Sequence, residues 1–121
     1  MKAGNRTLGA RLRIVLEPDV AIGPGKADLL QGIQETGSIA AAGRSMGMSY
    51  KRAWHLVETM NRCFKRPLVE ASRGGRAGGG ARLTDLGREV LARYRRMEAL
   101  TAEVIEPEMA ALRAVVTDRS D

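Results

Sequence analysis

The sequence predicts a mostly α-helical α+β fold in a single domain spanning residues 1–121, on three observations. A chain of 121 residues fits one domain, because a domain usually takes roughly 100 to 200 residues. Aromatic residues make up only 3% of the chain, so Leu, Ile, Val, Met and Ala must build the core, and this composition favours helices. Apolar residues also recur at helical spacing in several segments.

A β-hairpin and then a helix are predicted at the N-terminal end. Residues 11–17 are rich in β-branched and aliphatic side chains, and Pro18-Asp19 supplies a turn before a second short strand at 20–22. After a break at Gly23-Pro24-Gly25, apolar spacing predicts a first helix from about Lys26 to Thr36, which Gly37 ends.

Two further helices follow closely. Ser38 is a good N-cap for a second helix of small residues at 39–45, and Gly47 ends that helix. Ser49 caps a third helix, which Pro67 stops. One apolar stripe along the third helix comprises Ala53, Val57, Met60 and Phe64.

A second hairpin and a long last helix complete the prediction. Residues 68–72 and 81–83 are predicted to pair as strands around a tip, 73–80, that holds five glycines. Thr84 caps the last helix, and Pro107 either kinks that helix or starts a new one. Its apolar stripe comprises Leu86, Val90, Tyr94, Met97, Thr101 and Val104.

In this order the elements predict a winged helix-turn-helix with an N-terminal β-hairpin and a long C-terminal dimerisation helix. The helix-turn-helix spans about 38–66, the wing about 68–83 and the dimerisation helix about 84–116. A helix-turn-helix places its second helix in the major groove of duplex DNA. The fold prediction therefore carries an expectation of double-stranded DNA as the partner.

The positive charge is concentrated where this fold would need it. Residues 44–82 hold nine basic and two acidic residues, a balance of +7 in a chain whose net charge is +6. Taken alone, such a segment is explained equally well by a solvated basic face without a partner. Because the basic segment starts where the helix-turn-helix turn starts, DNA binding is the stronger interpretation.

Angular positions on the third helix indicate which side chains face DNA. Lys51, His55, Glu58 and Arg62 lie opposite the apolar stripe, and the first turn of such a helix usually meets base edges. For Arg62, phosphate contact or solvation is favoured over base contact. In the wing, Arg73, Arg76 and Arg82 flank the glycines and could contact the backbone or a minor groove, the alternative being an idle surface loop.

The segment Gly37–Trp54 resembles the DNA-binding domain of the molybdate-responsive ModE family, and the similarity continues to about Glu103. It is carried by Ser49-Tyr50-Lys51, Ala53-Trp54, Met60-Asn61, Leu68-Val69-Glu70, Gly74–Ala81 and Leu83-Thr84. The helix-turn-helix alone is similar to that of LysR-type regulators. The ModE resemblance implies a homodimer joined through its first and last helices, with Ser49, Tyr50, Lys51, Arg52 and the wing on operator DNA.

Two residue sets follow from pattern and resemblance together. The expected DNA-binding residues are Ser38, Ser49, Tyr50, Lys51, Arg52, His55, Arg62, Arg73, Gly75, Arg76, Gly79 and Arg82. The expected dimer-interface residues are Val90, Tyr94, Met97, Thr101 and Val104. Trp54 is expected to pack at the boundary of the core rather than to stack on DNA.

The sequence departs from the molybdate-sensing members of this family in one respect. Those regulators usually carry a pair of small β-barrel modules that bind the oxyanion, and nothing after Val104 predicts such modules. We therefore do not predict molybdate binding, although control of molybdenum uptake or molybdoenzyme genes remains an expected role.

Other functions have little support in the sequence. No convergent set of nucleophile, base and charge stabiliser predicts an enzyme, and no cofactor site is expected. His55 and Cys63 are too far apart on one helix to share a metal. No apolar run could cross a membrane, so we expect a soluble, cytoplasmic protein. The alternative function is a dimerising module that modulates another regulator without specific DNA binding.

Overall fold

The computed structural model describes residues 8–72 and 80–117. Within these ranges the chain forms four α-helices and two separate two-stranded antiparallel sheets. In chain order these are β1 (Ile14–Glu17), β2 (Val20–Ile22), α1 (Pro24–Thr36), α2 (Ile39–Ser45), α3 (Tyr50–Cys63), β3 (Val69–Ser72), β4 (Gly80–Leu83) and α4 (Asp85–Arg113). The order confirms the predicted winged helix-turn-helix with its N-terminal hairpin.

Helix α1 starts two residues earlier than predicted. The sequence predicts a break at Gly23-Pro24-Gly25, but Pro24 is the first residue of the helix. Proline fits there because the first helical N–H has no partner within the helix and the proline φ is already helical. The predicted end is confirmed, since Gly37 has a φ of 72° and donates its N–H to the Ile33 carbonyl at 2.8 Å.

The two predicted N-cap residues start the two helices of the helix-turn-helix. The hydroxyl of Ser38 accepts a hydrogen bond from the Ala41 N–H, and that of Ser49 accepts one from the Arg52 N–H. Gly47, in the turn between them, has a φ of 74°, a conformation that favours glycine. Helix α3 ends at Cys63, three residues short of the predicted 66, because Phe64 takes an extended backbone.

The wing strands β3 and β4 pair as an antiparallel hairpin, as predicted. The paired residues run from Val69 opposite Leu83 to Ser72 opposite Gly80. The Ala81 N–H also donates to the Gly37 carbonyl at 2.9 Å, which joins β4 to the junction between α1 and α2. Gly80, predicted in the tip, is the first residue of β4, and the rest of the predicted tip, residues 73–79, lies outside the described residues.

Helix α4 is a single element of 29 residues that continues through Pro107. Of the two predicted outcomes at Pro107, a new helix is therefore wrong. Proline cannot donate to the Glu103 carbonyl, but this part of α4 is exposed to solvent. Among the described residues, no helix combines the length and apolar character needed to span a bilayer.

The core lies between α1, α2, α3, the wing strands and the first half of α4. The largest fully buried side chains are Leu29, Leu30, Ile33, Val57, Leu68 and Tyr94. The predicted stripe of α3 is confirmed as a core face, because Ala53, Val57 and Met60 are buried there. This packing determines which side of α3 faces the solvent.

Tyr94 was expected at a dimer interface, and that prediction is wrong. Its side chain is 0% exposed within this one chain, and its hydroxyl donates to the Leu12 carbonyl at 2.7 Å. Burial in the core raises the pKa of the Tyr94 phenol, and the nearby Glu98 carboxylate adds to this shift. A residue enclosed by its own chain cannot contact a second copy.

Candidate nucleic-acid interface

Helix α3 exposes a face of mostly basic residues, called the cationic face below. Lys51, His55, Glu58 and Arg62 are all exposed, as the angular positions predicted. They lie opposite Ala53, Val57 and Met60 (the buried stripe), so packing of the stripe orients the exposed face outwards. Glu58 is the one carboxylate on this helix.

The first turn of α3 combines a helix N-terminus with basic side chains. Tyr50, Lys51 and Arg52 are exposed there, and no acidic residue lies in the turn. The aligned peptide dipoles place partial positive charge at this end of the helix. The turn therefore offers both backbone and side-chain positive charge to an anion.

Ser38 and Ser49 use their hydroxyl oxygens within the fold. Each accepts a hydrogen bond from a backbone N–H in the first turn of its helix. Because a hydroxyl can accept and donate at once, each retains its proton for donation to a partner. The structure assigns both residues a capping role, and a DNA contact would be additional to it.

Arg82 is the one wing arginine within the described residues. It is exposed on β4, and its Nε lies 2.8 Å from a carboxylate oxygen of Glu70, directly across on β3. Because the Glu70 carboxylate offsets the Arg82 charge, Arg82 attracts an external anion less strongly than an unpaired arginine would. Arg73, Gly75, Arg76 and Gly79, also predicted to contact DNA, lie outside the described residues.

Asn61 fixes the wing to α3, a role that was not predicted from the sequence. Its Oδ1 accepts hydrogen bonds from the N–H groups of Leu68 and Val69, and its Nδ2 donates to the Val69 carbonyl. One amide thus satisfies three backbone groups at the start of β3. The sequence signal is an amide near the end of a helix, eight residues before the next strand begins.

Trp54 is more exposed than a boundary packing residue would be. Its side chain is 43% exposed, and together with Tyr50 it lines a cleft of about 270 Å³ between α3 and the wing strands. Ser38 and Gly80 lie on other walls of this cleft. The cleft thus connects the two elements that were predicted to contact DNA.

Arg95 fixes the direction in which α4 leaves the domain. It donates to Asp28 and Gln31 of α1 at 2.8 to 3.0 Å and to Glu98 of α4 at 3.0 Å. Burial by itself would lower the pKa of the Arg95 guanidinium, but its hydrogen bonds to Asp28 and Glu98 outweigh burial and raise that pKa. Arg95 therefore stays charged and joins α4 to α1.

The remaining residues of the predicted dimer stripe differ in exposure. Val90 and Met97 are partly buried against the chain's own core, and Thr101 is also partly buried. Val104 is 75% exposed. Other large apolar side chains exposed on or just after this half of α4 are Leu100, Leu112, Val115 and Val116. The uncovered apolar surface therefore starts near residue 100.

A known family matches the region that holds this interface. Residues 27–88 match the sequence model described as bacterial regulatory helix-turn-helix protein, lysR family. The matched range runs from α1 to the start of α4. A solved structure, the full-length LTTR LysG from Corynebacterium glutamicum with bound effector Arg, shares the fold at a TM-score of 0.57 and 23% identity. The similarity covers 78% of this chain and 30% of that one.

Characterised relatives confirm the resemblance to ModE. The chain is 47% identical to the molybdenum-pterin-binding protein MopA of Rhodobacter capsulatus, over 66% of this chain and 31% of that protein. It is 45% identical to MopB of the same organism, over 76% and 34%. It is 40% identical to the transcriptional regulator ModE of Haemophilus influenzae, over 72% and 34%. The chain thus aligns with about a third of the length of these relatives.

Proposed function

Because the chain belongs to the lysR family of bacterial regulatory helix-turn-helix proteins, and is therefore a DNA-binding transcription regulator, we propose that it binds a specific duplex operator as a homodimer. Helix α3 enters the major groove, and the wing lies on the adjacent backbone or minor groove. The regulator acts in the cytoplasm, where the operator is found.

The observation that carries this proposal is the exposed basic face of α3. Lys51, Arg52, His55 and Arg62 project from the helix whose other side packs in the core. Lysine and arginine can donate to guanine edges in the major groove, and each good bidentate contact discriminates by about 1–3 kcal/mol. The first two turns of α3 therefore hold side chains that can distinguish one base pair from another.

Uncovered apolar surface on α4 supports the homodimer. Leu100, Val104 and Leu112 are exposed on one long helix, beyond the point where the chain's own core ends. Apolar surface gains about 25 cal/mol for each Å² that leaves water, so a second copy of this helix is a favourable partner. We therefore place the dimer interface on the C-terminal half of α4. Of the predicted interface residues, this proposal keeps Thr101 and Val104 and excludes Tyr94.

The target genes are proposed from the relatives. Several carry names that refer to molybdenum: the molybdenum-pterin-binding proteins MopA and MopB, and the molybdenum transport protein ModE of Azotobacter vinelandii. We propose that this chain controls genes for molybdenum uptake or molybdoenzymes. The signal it responds to is a separate question, because the chain aligns with only about a third of these relatives.

Selection of bound fragments from genomic DNA tests the proposal directly. Purified protein is expected to enrich fragments that share a near-palindromic site, with half-sites about 34 Å apart or a multiple of that. The same selection with and without molybdate shows whether the oxyanion changes the bound set. If the protein enriches no sequence and binds no duplex at low salt, the alternative function is supported instead. In that case the chain is a dimerising module that modulates another regulator.

Sedimentation of the protein tests the dimer separately. The unmodified chain is expected to sediment as a dimer, and Val104→Glu is expected to shift it towards monomer, because a buried carboxylate without a partner is strongly unfavourable. Val15→Glu, which alters another exposed valine, on β1, is the control and should remain dimeric. Equal dissociation of the two variants would contradict an interface on α4.

A further inference from the structure

Two aromatic side chains of α3 lie between its cationic face and the wing. Tyr50 and Trp54 are one helical turn apart, 57% and 43% exposed, and both line the cleft described above. The other lining residues are mostly small or apolar, and they include Ile39, Ala40, Val57, Ala71 and Ala81. The cleft therefore presents aromatic rings and aliphatic surface beside a row of cations.

Both aromatic side chains also hold a hydrogen-bond donor that the fold does not use. Within residues 8–72 and 80–117, neither the Tyr50 hydroxyl nor the Trp54 indole N–H has a hydrogen-bond partner. Tyr94 behaves differently, because its ring is fully buried and its hydroxyl donates to the Leu12 carbonyl. Exposed rings with unused donors are typical of a surface that a partner covers.

We propose that Tyr50 and Trp54 clamp the DNA backbone, with their rings against deoxyribose and their donors on phosphate oxygens. This inference rests on the proposed function. When α3 occupies the major groove and the wing lies towards the neighbouring minor groove, one sugar–phosphate strand has to cross between them. The cleft that holds Tyr50 and Trp54 lies at that crossing.

The charges around the cleft favour a phosphate at its N-terminal end. Lys51 follows Tyr50 on the exposed side of α3, and no acidic residue lies in the first turn of that helix. Glu70 also lines the cleft, but its carboxylate is paired with Arg82. Glu58, one turn beyond Trp54, repels phosphate from the C-terminal end. The clamp is therefore restricted to the first two turns.

A backbone clamp has consequences that a base contact lacks. Because every sequence has the same sugar and phosphate, removing the clamp weakens operator and non-operator binding by similar factors. Removing an uncharged donor also leaves the salt dependence of binding unchanged, since no cation is lost. A contact between Trp54 and the 5-methyl group of thymine would instead make binding sensitive to replacement of thymine by deoxyuridine.

Fluorescence of the unmodified protein gives the first test, because Trp54 is the only tryptophan in the chain. Binding to a duplex recovered in the genomic selection should protect Trp54 from acrylamide quenching, and a duplex without the site should protect it too when saturated at low salt. Unchanged quenching, while anisotropy of labelled DNA shows that the complex has formed, would overturn the clamp alone. Absence of any complex would overturn the proposed function with it.

Trp54→Phe gives the second test, since it keeps a ring and removes the N–H. Replacing one phosphate per half-site by methylphosphonate should weaken binding of the unmodified protein by about tenfold at one position. For the variant, that same replacement should have little further effect. Unchanged affinity of the variant would overturn the proposal. Binding that responds to deoxyuridine in place of thymidine, and not to methylphosphonate in place of phosphate, would overturn it too. Thermal unfolding of the variant checks that the fold is intact.

Discussion

Individual glycines allow the elements of this domain to pack closely. A Cβ at Gly32 would lie 2.9 Å from the Ala42 Cβ, and one at Gly43 would lie 2.8 Å from the Ala53 Cβ. These two contacts bring α1 to α2 and α2 to α3. A Cβ at Gly87 would collide with the backbone carbonyl of Leu68, at the contact between α4 and the start of the wing. Side-chain atoms can shift to some extent, whereas this carbonyl accepts the Thr84 N–H at 2.9 Å and is held in place.

Gly87→Ala is therefore expected to destabilise the domain by about 3 kcal/mol, the upper range for overpacking in a core. Gly25→Ala is the matched control, because a Cβ there would meet no atom within 4 Å. That change should stabilise α1 by about 0.5 kcal/mol through the unfolded state. Urea unfolding of both variants measures the two free energies. Similar values for the two variants would contradict the close contact at Leu68.

Glu58 is the residue that weakens the cationic face of α3. Its carboxylate is exposed among Lys51, His55 and Arg62 and therefore repels a polyanion. Glu58→Gln should strengthen binding to any duplex by about threefold at low salt, and the gain should fade as salt screens the charge. Titrations at two salt concentrations measure this effect. Weaker binding by the variant would indicate that Glu58 accepts a hydrogen bond from a base, which would place α3 deeper in the groove.

At the scale of the element, helix ends were predictable and strand attachments were not. Ser38, Ser49 and Thr84 cap helices through bonds to N–H groups three residues away, so the signal lies within a few residues of sequence. The end of α3 escaped prediction because Phe64 leaves the helix to pack against the core. The role of Asn61 escaped prediction because its partners lie seven and eight residues away, at the start of a strand.

The attachment of the wing to α3 gives a prediction at this scale. Asn61→Ala should destabilise the domain by about 2 kcal/mol, because the Leu68 and Val69 N–H groups would lose their acceptor. Thr59→Ala, on the same helix, removes only a bond to the His55 carbonyl and should change stability little. Thermal unfolding followed by circular dichroism compares the variants, and hydrogen exchange should show β3 opening first in Asn61→Ala. Equal melting of the two variants would mean that Asn61 does not hold the wing.

At the scale of the whole molecule, α4 has two parts with different surroundings. Its first part packs on the domain, where Leu91 and Tyr94 are buried, and its second part extends beyond the domain with Val104 and Leu112 exposed. The sequence predicted one continuous stripe, since periodicity shows which face is apolar and not where the core ends. Arg95, at the boundary, bonds to residues 64 and 67 positions earlier, a contact that no local pattern reveals.

If α4 joins two copies, then Arg95 sets the angle between each domain and the dimer axis. Arg95→Met should let the domains rotate and so tolerate half-sites moved apart by one base pair, which the unmodified protein should reject. Arg93→Met is the matched control, because Arg93 pairs only with Glu89 on its own helix among the described residues. Affinities for operators of altered spacing measure this tolerance. The same spacing preference in both variants would contradict the positioning role of Arg95.

The central claim, that the exposed face of α3 binds duplex DNA through its cations, is tested most directly by the salt dependence of operator affinity. The logarithm of the affinity should fall linearly with the logarithm of salt concentration, with a slope of about −0.9 for each phosphate neutralised. Lys51→Ala should make that slope shallower by about 0.9 for each subunit that loses a phosphate contact, while Arg93→Met should leave it unchanged. A slope near zero, or the same slope with and without Lys51, would contradict the claim.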